Sequence, residues 1–433
     1  MRVQRSPTDI RRHLTLFLAQ WQSAIASGKG RTVTNQGSPQ TADCPFHEGE
    51  DHRKSAAASV GGGTVKDAVQ THTFDGARAV LRNQSARQAG FMAEQVGKIG
   101  SATRQPILFL EGEAHRVQRS ATARFFTPKI VTTRYRGLMI RLSDDLVRRF
   151  RACKRVKLDD LSLELAVAVA GDIVGLTDSD PQGLAARLDV FFTGNFDPPK
   201  NPIKAFARFL NQQYLVLRFY YKDVAPAIRS RRKQRKDDVI SHLIDQGYNG
   251  REILTECLVY GAAGMATTRE FIVMAAWHML SNDAIRIAFL EGDEHEKVAI
   301  LEEILRIEPV VGYIYRRLHE DLPTTEGGAQ GVCKGDAVAV DVRAANTDVA
   351  AFGACPMQIQ PGRKVSAKYG NAGLAFGDGE HRCPGAQVAL QETCLFLERL
   401  MQVPGLKLER APDLFWNQLV TGYELRNCVI TCD

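Results

Sequence analysis

The chain has 433 residues, of which 44% are hydrophobic and 24% charged. This is the make-up of a globular protein with a large core, and it excludes a disordered, collagenous or mucin-like chain. Basic residues exceed acidic ones by 56 − 49 = 7, an excess too small to call for nucleic acid. At roughly 100–200 residues per domain, the length allows two or three domains or one large core. Nine cysteines, an odd number scattered along a long chain, argue against a disulfide framework and for free thiols in a reducing, cytoplasmic setting. No membrane span is legible. Residues 257–280 are interrupted by Arg269 and Glu270, and 161–176 by Glu164 and Asp172, whereas a span wants roughly 20 apolar residues in a row. Arg2, Arg5, Arg11 and Arg12 precede no unbroken apolar run, so no signal peptide is expected.

In chain order, residues 6–26 read as one amphipathic helix. Ser6 can cap it, Pro7 suits its first turn, and Ile10, Leu14, Phe17, Trp21 and Ile25 fall on one stripe. That stripe suits packing against the body of the protein, with a membrane surface or a partner as alternatives. Residues 27 to about 65 are rich in Gly, Ser, Thr and Gln, include Gly61-Gly62-Gly63, and read as a linker. Cys44 and His47 within it are too few ligands for a zinc site. The expected division is therefore an N-terminal helix and flexible segment over 1–65 and one domain over 66–433.

Helical periodicity then appears at 76–82, 113–124, 136–153, 159–176, 182–193, 202–220, 235–246, 250–280, 283–290, 294–307 and 384–401. Strand-like runs are short and few, at 337–342, 406–408 and 424–430. The order is not an alternating βαβ pattern, and no glycine-rich phosphate loop is present, so a parallel-sheet nucleotide fold is disfavoured. A mainly α fold with a minor β-sheet region, in a single large domain, fits best. Arg229, Arg231, Arg232, Lys233, Arg235 and Lys236 form a basic run placed between two helices. Without interleaved aromatics it reads as a solvated surface and not as a nucleic-acid site.

Chemistry concentrates near the C-terminus, in Phe376-Gly377-Asp378-Gly379-Glu380-His381-Arg382-Cys383-Pro384-Gly385. This is a glycine-bent loop that delivers one cysteine just before a helix N-terminus, where the positive helix end and exposed N–H groups stabilise a thiolate. A redox thiol, an acyl-transfer nucleophile or a metal ligand would each suit that setting. No second cysteine stands nearby for a Cys-x-x-Cys pair, which weakens the first.

Phe376-x-x-Gly379-x-x-x-Cys383-x-Gly385 resembles the haem-ligand signature of the cytochrome P450 family. Three further segments resemble that family in order and separation, over about residues 70–430. Glu303-x-x-Arg306 resembles its helix-locking pair, Ala263-Gly264-Met265-Ala266-Thr267-Thr268 its oxygen-binding groove, and His115-x-x-x-Arg119 its propionate-holding helix. The resemblance implies a fold enclosing haem b, with Cys383 as axial thiolate donating electron density to iron. It implies that Phe376 packs against the cysteine loop, that Gly379 and Gly385 permit its tight backbone, and that His115, Arg119, Arg316 and His381 hold the haem propionates. Arg316 is preferred over Arg317 because it stands five before Asp321.

The family's groove usually carries an acid immediately before its threonine. Here that position is Ala266, ahead of Thr267 and Thr268. Alanine cannot relay the protons that dioxygen activation consumes. Three expectations follow: monooxygenation with water, substrate or Glu270 in the acid's part; a peroxide-dependent reaction; or an atypical conversion such as oxidative coupling or dehydration. A non-catalytic haem-binding protein is the competing class, and the retained Thr267 argues against it. The resemblance also implies a separate ferredoxin and ferredoxin reductase as electron donors, a small organic substrate, no nucleic acid and a monomer. Phe91, Phe191, Phe192, Phe196, Tyr260, Tyr313 and Leu419 are the candidate substrate contacts, and they suggest an apolar or aromatic molecule.

Overall fold

A computed structural model of the protein describes residues 53–56, 65, 67–90, 93, 104–192, 201–321, 332–366, 369–418 and 420–433. The expected helix at 6–26, the Cys44/His47 pair, Phe91, Phe196 and Leu419 lie outside the described residues, as do the side chains of Phe191 and Phe192.

The longer helices are α1 (Phe74–Arg82), α2 (Gly112–Ala123), α3 (Arg136–Cys153), α4 (Leu158–Val174), α5 (Pro181–Phe192), α6 (Pro202–Phe219) and α7 (Ala225–Lys233). They continue with α8 (Val239–Asp245), α9 (Gly250–Tyr260), α10 (Thr267–Ser281), α11 (Asp283–Glu291), α12 (Glu294–Ile307) and α13 (Ala386–Met401). Local chemistry sets their starts. Asn249 and Glu252 form a reciprocal capping box on α9, and Asp293 and Glu296 do the same on α12. Asp238 caps α8 by accepting a hydrogen bond from the Ser241 N–H at 2.8 Å, so this helix begins at 239 and not at the expected 235.

The same cap corrects the reading of the basic run. Arg229, Arg231, Arg232 and Lys233 lie inside α7, and Arg231 is 1% exposed. Its guanidinium pairs with Asp238 at 2.7 Å and also with Asp178, tying α7 to the start of α8. Opposite charges, and not solvent, hold this member of the run. The cysteine expectation is corrected as well: Cys355 is disulfide-bonded, whereas Cys153, Cys257, Cys333, Cys383, Cys394, Cys428 and Cys432 are free.

The strands that periodicity missed are mostly three to five residues long, too short for a period of two to register. Among the described residues β1 (Val69–Thr71), β2 (Ala86–Ala89), β4 (Tyr313–Leu318) and β5 (Ala337–Asp341) make one sheet in the order β1-β5-β4-β2. Only its β1–β5 pairing is parallel. β3 (Arg155–Lys157), β9 (Val429–Thr431) and β6 (Lys407–Arg410) make a second sheet, and β7 (Asp413–Asn417) with β8 (Gly422–Arg426) a hairpin. The single strand expected over 424–430 breaks at Asn427, whose φ of 58° turns the chain.

The main core wraps the central helix. Phe271, Ile272, Val273, Met274, Ala275 and Ala276 of α10 are each no more than 2% exposed, and α10 packs on α4 and α13. The expected helix over 250–280 is present but divided: Gly261–Ala266, between α9 and α10, is a π-helical turn. Such a turn adds a residue to the winding and opens the helix locally.

Two buried acids give the fold a pH signature. Glu256 on α9 and Glu392 on α13 are nearly inaccessible, and burial pushes each carboxyl up to about 8 from an ordinary 4.5. Glu256 accepts the Ile107 N–H at 3.1 Å, while Glu392 Oε1 has no partner among the described residues. Between those two pKa values the folded chain holds a proton that the unfolded chain has released. Stability therefore falls as pH rises through this window, by about 1.4 kcal/mol per pH unit for each group. Thermal melts are expected to show Tm dropping from pH 5 to pH 8, with a shallower slope in the Glu256→Gln/Glu392→Gln variant. Equal slopes would contradict it.

Candidate active site

The cysteine loop is built against α1. Gly377 and Gly379 have φ of 68° and 71°, and a Cβ on Gly379 would lie 2.4 Å from the Leu81 carbonyl oxygen at the end of α1. Only glycine serves at that approach. Asp378 fastens the loop by pairing with Arg78 and Arg82 of α1, each at 2.8 Å. The Cys383 N–H then donates to the Phe376 carbonyl at 2.8 Å, closing the turn over Phe376.

Helix α13, which follows, has no side-chain cap at its N-cap Gly385. Its leading N–H groups are left over for another acceptor. Burial pushes the Cys383 thiol up, while the N–H groups of Gly385 and Ala386 and the charges of Arg119 and Arg382 pull it back toward thiolate. A Cβ on Gly385 would sit 3.9 Å from the sulfur, ordinary contact, so this glycine is not required sterically.

Cationic groups converge beside the loop from three elements. The rings of His115 on α2 and His381 stack at 4.1 Å with 29° between planes. Burial, His115, Arg316 and Arg119 together press His381 down to about 3. Arg316 on β4 is 4% exposed, donates to Gln88 Oε1 at 2.5 Å and to the Tyr315 carbonyl at 2.9 Å, and is lowered to about 10 by burial. Its neighbour Arg317 is turned to the other face of the strand, where it donates to the Gly335 carbonyl at 2.9 Å. Arg119 donates to the Arg382 carbonyl, which links α2 directly to the residue before Cys383. The Nδ1 of His115 is buried without a hydrogen-bond partner. Two arginines beside two histidines held neutral by burial and by those charges, with an orphaned ring nitrogen among them, fit a buried group bearing carboxylates, which supplies both the charge and the acceptors.

The groove lies in the π-helical turn. Ala263 is exposed and Gly264, Ala266 and Thr267 are partly exposed, in the middle of an otherwise buried helix. A Cβ on Gly264 would meet nothing within 4 Å. Thr267 Oγ1 donates to the Ala263 carbonyl at 2.7 Å, occupying the acceptor that a regular helix would use. Thr268 points into the core at 6% exposure.

Glu270 does not reach this groove. Its oxygens accept the Leu425 N–H at 2.6 Å, Arg426 Nη1 at 2.7 Å and Arg269 Nε at 2.9 Å. Arg269 also pairs with Asp189 of α5 at 2.5 Å, so the carboxylate is an anchor between α5, α10 and β8. Of the aromatic candidates, Tyr260 stacks on Phe126 at 6.2 Å, and Tyr313 meets Trp416 edge-on at 6.0 Å. Both are held in aromatic packing.

Beneath the loop, Arg306 meets Glu303 bidentately at 2.7 and 3.0 Å, both side chains being almost wholly buried. Sequence reasoning missed Arg363, which reaches the same carboxylate at 3.3 Å, and Gln88, which holds Arg316. Neither stands at an informative spacing from its partner, so no local signal pointed to them.

A helical body with a thiol at a helix N-terminus and a basic cradle beside it fits a haem-carrying protein. The family model for cytochrome P450 matches residues 298–412. Cytochrome P450(BM-1) of Priestia megaterium is 24% identical over 347 residues, 78% of this chain and 79% of that protein. The steroid C26-monooxygenase of Mycobacterium tuberculosis is 26% identical over 313 residues, 69% of this chain and 78% of its own. The crystal structure of CYP109B1 from Bacillus subtilis superposes with a TM-score of 0.67 at 21% identity, over 84% of this chain and 92% of that one. The family-model match, these relatives and the shared fold support a bacterial-type cytochrome P450 with haem as its cofactor. At the general level it is a haem-thiolate monooxygenase. Among the described residues no helix is long and apolar enough to cross a membrane.

Proposed function

We propose that Cys383 is the axial ligand of the haem, that His115, Arg119, Arg316 and His381 hold its propionates, and that the enzyme oxidises a small apolar or aromatic molecule over the Ala263–Thr267 groove. The observation that carries this reading is the convergence of the Cys383 thiol, faced by the Gly385 and Ala386 N–H groups, with Arg119, Arg316 and two stacked histidines, one of whose ring nitrogens is buried without a partner. When bound, haem supplies the redox chemistry that splits dioxygen. The chain's own part is to hold the sulfur as thiolate, to fix the carboxylates, and to bring substrate and protons to the groove. Residues 66–433 form the catalytic domain on this reading, acting as a monomer with a ferredoxin and its reductase as donors. The steroid C26-monooxygenase similarity is in keeping with an apolar substrate.

Proton delivery is where the chain departs from its family. Ala266 carries no acid, and the Glu270 carboxylate is committed to Arg269, Arg426 and Leu425. The protons therefore come through water or the substrate, with Thr267 holding the groove open. Introducing an acid by Ala266→Asp is expected to raise product formed per electron consumed severalfold, measured with a reconstituted ferredoxin system. An unchanged ratio would count against this route. It would favour the second reading that Ala266 supports, a peroxide-dependent or otherwise atypical conversion, which turnover with peroxide alone would reveal.

A further inference from the structure

Helix α6 buries Val216 and Phe219 against the core, as a surface helix should, but carries a second apolar row on its outward side. At 100° per residue, Ile203, Phe206, Leu210 and Tyr214 fall within about 80° of one another. They are 77%, 63%, 51% and 59% exposed, and Tyr221 just past the helix end is 57% exposed. A surface helix ordinarily turns its apolar stripe inward. Here an apolar row about 16 Å long, at a rise of 1.5 Å per residue, is the outermost line of the helix.

The charge beside that row is of one sign. Residues 201–222 contain Lys204, Arg208, Arg218 and Lys222 and no aspartate or glutamate. Lys204, Arg218 and Lys222 are exposed and fall along one flank of the row. A second copy of the same face would bring these cations together, so self-association through it is opposed electrostatically. An anionic surface is favoured. A projecting row of Ile, Phe, Leu and Tyr with a cationic flank is the chemistry of helices that lie in the interface plane of a bilayer. Such a row enters a deformable phase without needing a preformed groove. The sequence of residues 6–26, outside the described residues, carries the same pairing of an apolar stripe with Arg2, Arg5, Arg11 and Arg12 close by.

We propose that the outward face of α6 docks on an anionic lipid surface. The full-length, haem-loaded protein is to be sedimented with vesicles of phosphatidylcholine mixed with phosphatidylglycerol, and separately with vesicles of phosphatidylcholine alone. Binding is expected to the anionic vesicles, to be at least tenfold weaker on the neutral ones, and to weaken with salt. Phe206→Ser/Leu210→Ser/Tyr214→Ser is expected to lower the partition coefficient more than tenfold, and Lys204→Glu/Arg218→Glu/Lys222→Glu to do likewise. Because all these side chains are exposed, both variants should keep the haem spectrum and melting temperature of the parent, which separates loss of docking from loss of fold. A parent protein that stays in the supernatant would overturn the proposal, as would equal binding to neutral vesicles. It would also fall if both variants bind as the parent does while deletion of residues 1–52 alone abolishes binding. A face that meets an acidic protein instead would show as no vesicle binding together with variant-sensitive capture of that partner.

Discussion

Replacing Cys383 by serine is expected to abolish the thiolate-type absorbance band of the reduced, carbon monoxide-treated protein, and monooxygenase turnover with it. A serine hydroxyl keeps its proton where a thiol surrounded by the Gly385 and Ala386 N–H groups, Arg119 and Arg382 can release one. The fold should survive, because Asp378 still binds Arg78 and Arg82 and the residue-383 N–H still donates to Phe376. Three other cysteines provide the control. Cys257, Cys394 and Cys428 are buried, and burial pushes their thiols up, the latter two to about 12. None of them stands before a helix N-terminus as Cys383 does, so their replacement by alanine should leave the band in place. A parent protein without the band, or a Cys383→Ser variant that retains it, would sink the assignment of the ligand.

What the sequence revealed depended on how local each determinant is. α3 and α12 have the residue bounds that periodicity assigns them, because each carries its own apolar stripe, and a local capping box starts α12. The Cys383 loop was legible through its motif spacing, although what demands glycine at 379 is the distant Leu81 carbonyl at the end of α1. Features set by distant partners were not. Arg363 meets Glu303 across 60 residues, and Gln88 meets Arg316 across 228. The π-helical turn at Gly261–Ala266 hides inside an unbroken helical pattern, because small residues fit either winding. Glu270 shows the same limit from the other side. Its place one turn beyond Thr267 suggested a proton donor, yet what fixes the side chain is Arg426 and the Leu425 N–H, some 155 residues away. Arg231 was read as solvated for want of any local sign that Asp238 and Asp178 fold back upon it.

The largest effect on stability is expected from Arg306→Met. Arg306 and Glu303 are 0% and 2% exposed, and among the described residues the substitution leaves a buried carboxylate with Arg363 at 3.3 Å and the Gln360 N–H at 3.0 Å. Stranding one member of a buried pair costs about 3–5 kcal/mol, with Arg363 offsetting part of it. Removing both charges, by Glu303→Leu/Arg306→Met, should cost less than the single change, because no ion is then left without its partner. The damage should also travel to the cysteine loop along a defined route. Arg306 Nη1 donates to the Asn346 carbonyl at 2.7 Å, and Asn346 donates back to the Arg306 carbonyl at 3.0 Å. The Oδ1 of Asn346 accepts the Leu374 N–H at 2.7 Å, two residues before Phe376. Gly373 must remain glycine there, with φ of 57° and a would-be Cβ only 2.4 Å from that same oxygen. Loosening Asn346 therefore frees the approach to the loop that carries Cys383. Arg306→Met should accordingly lower haem retained per chain after gel filtration as well as the midpoint of denaturant unfolding, whereas Arg317→Met, on the exposed side of β4, should change neither. Parent-like haem content and unfolding midpoint in Arg306→Met would show that the ion pair does not hold the loop.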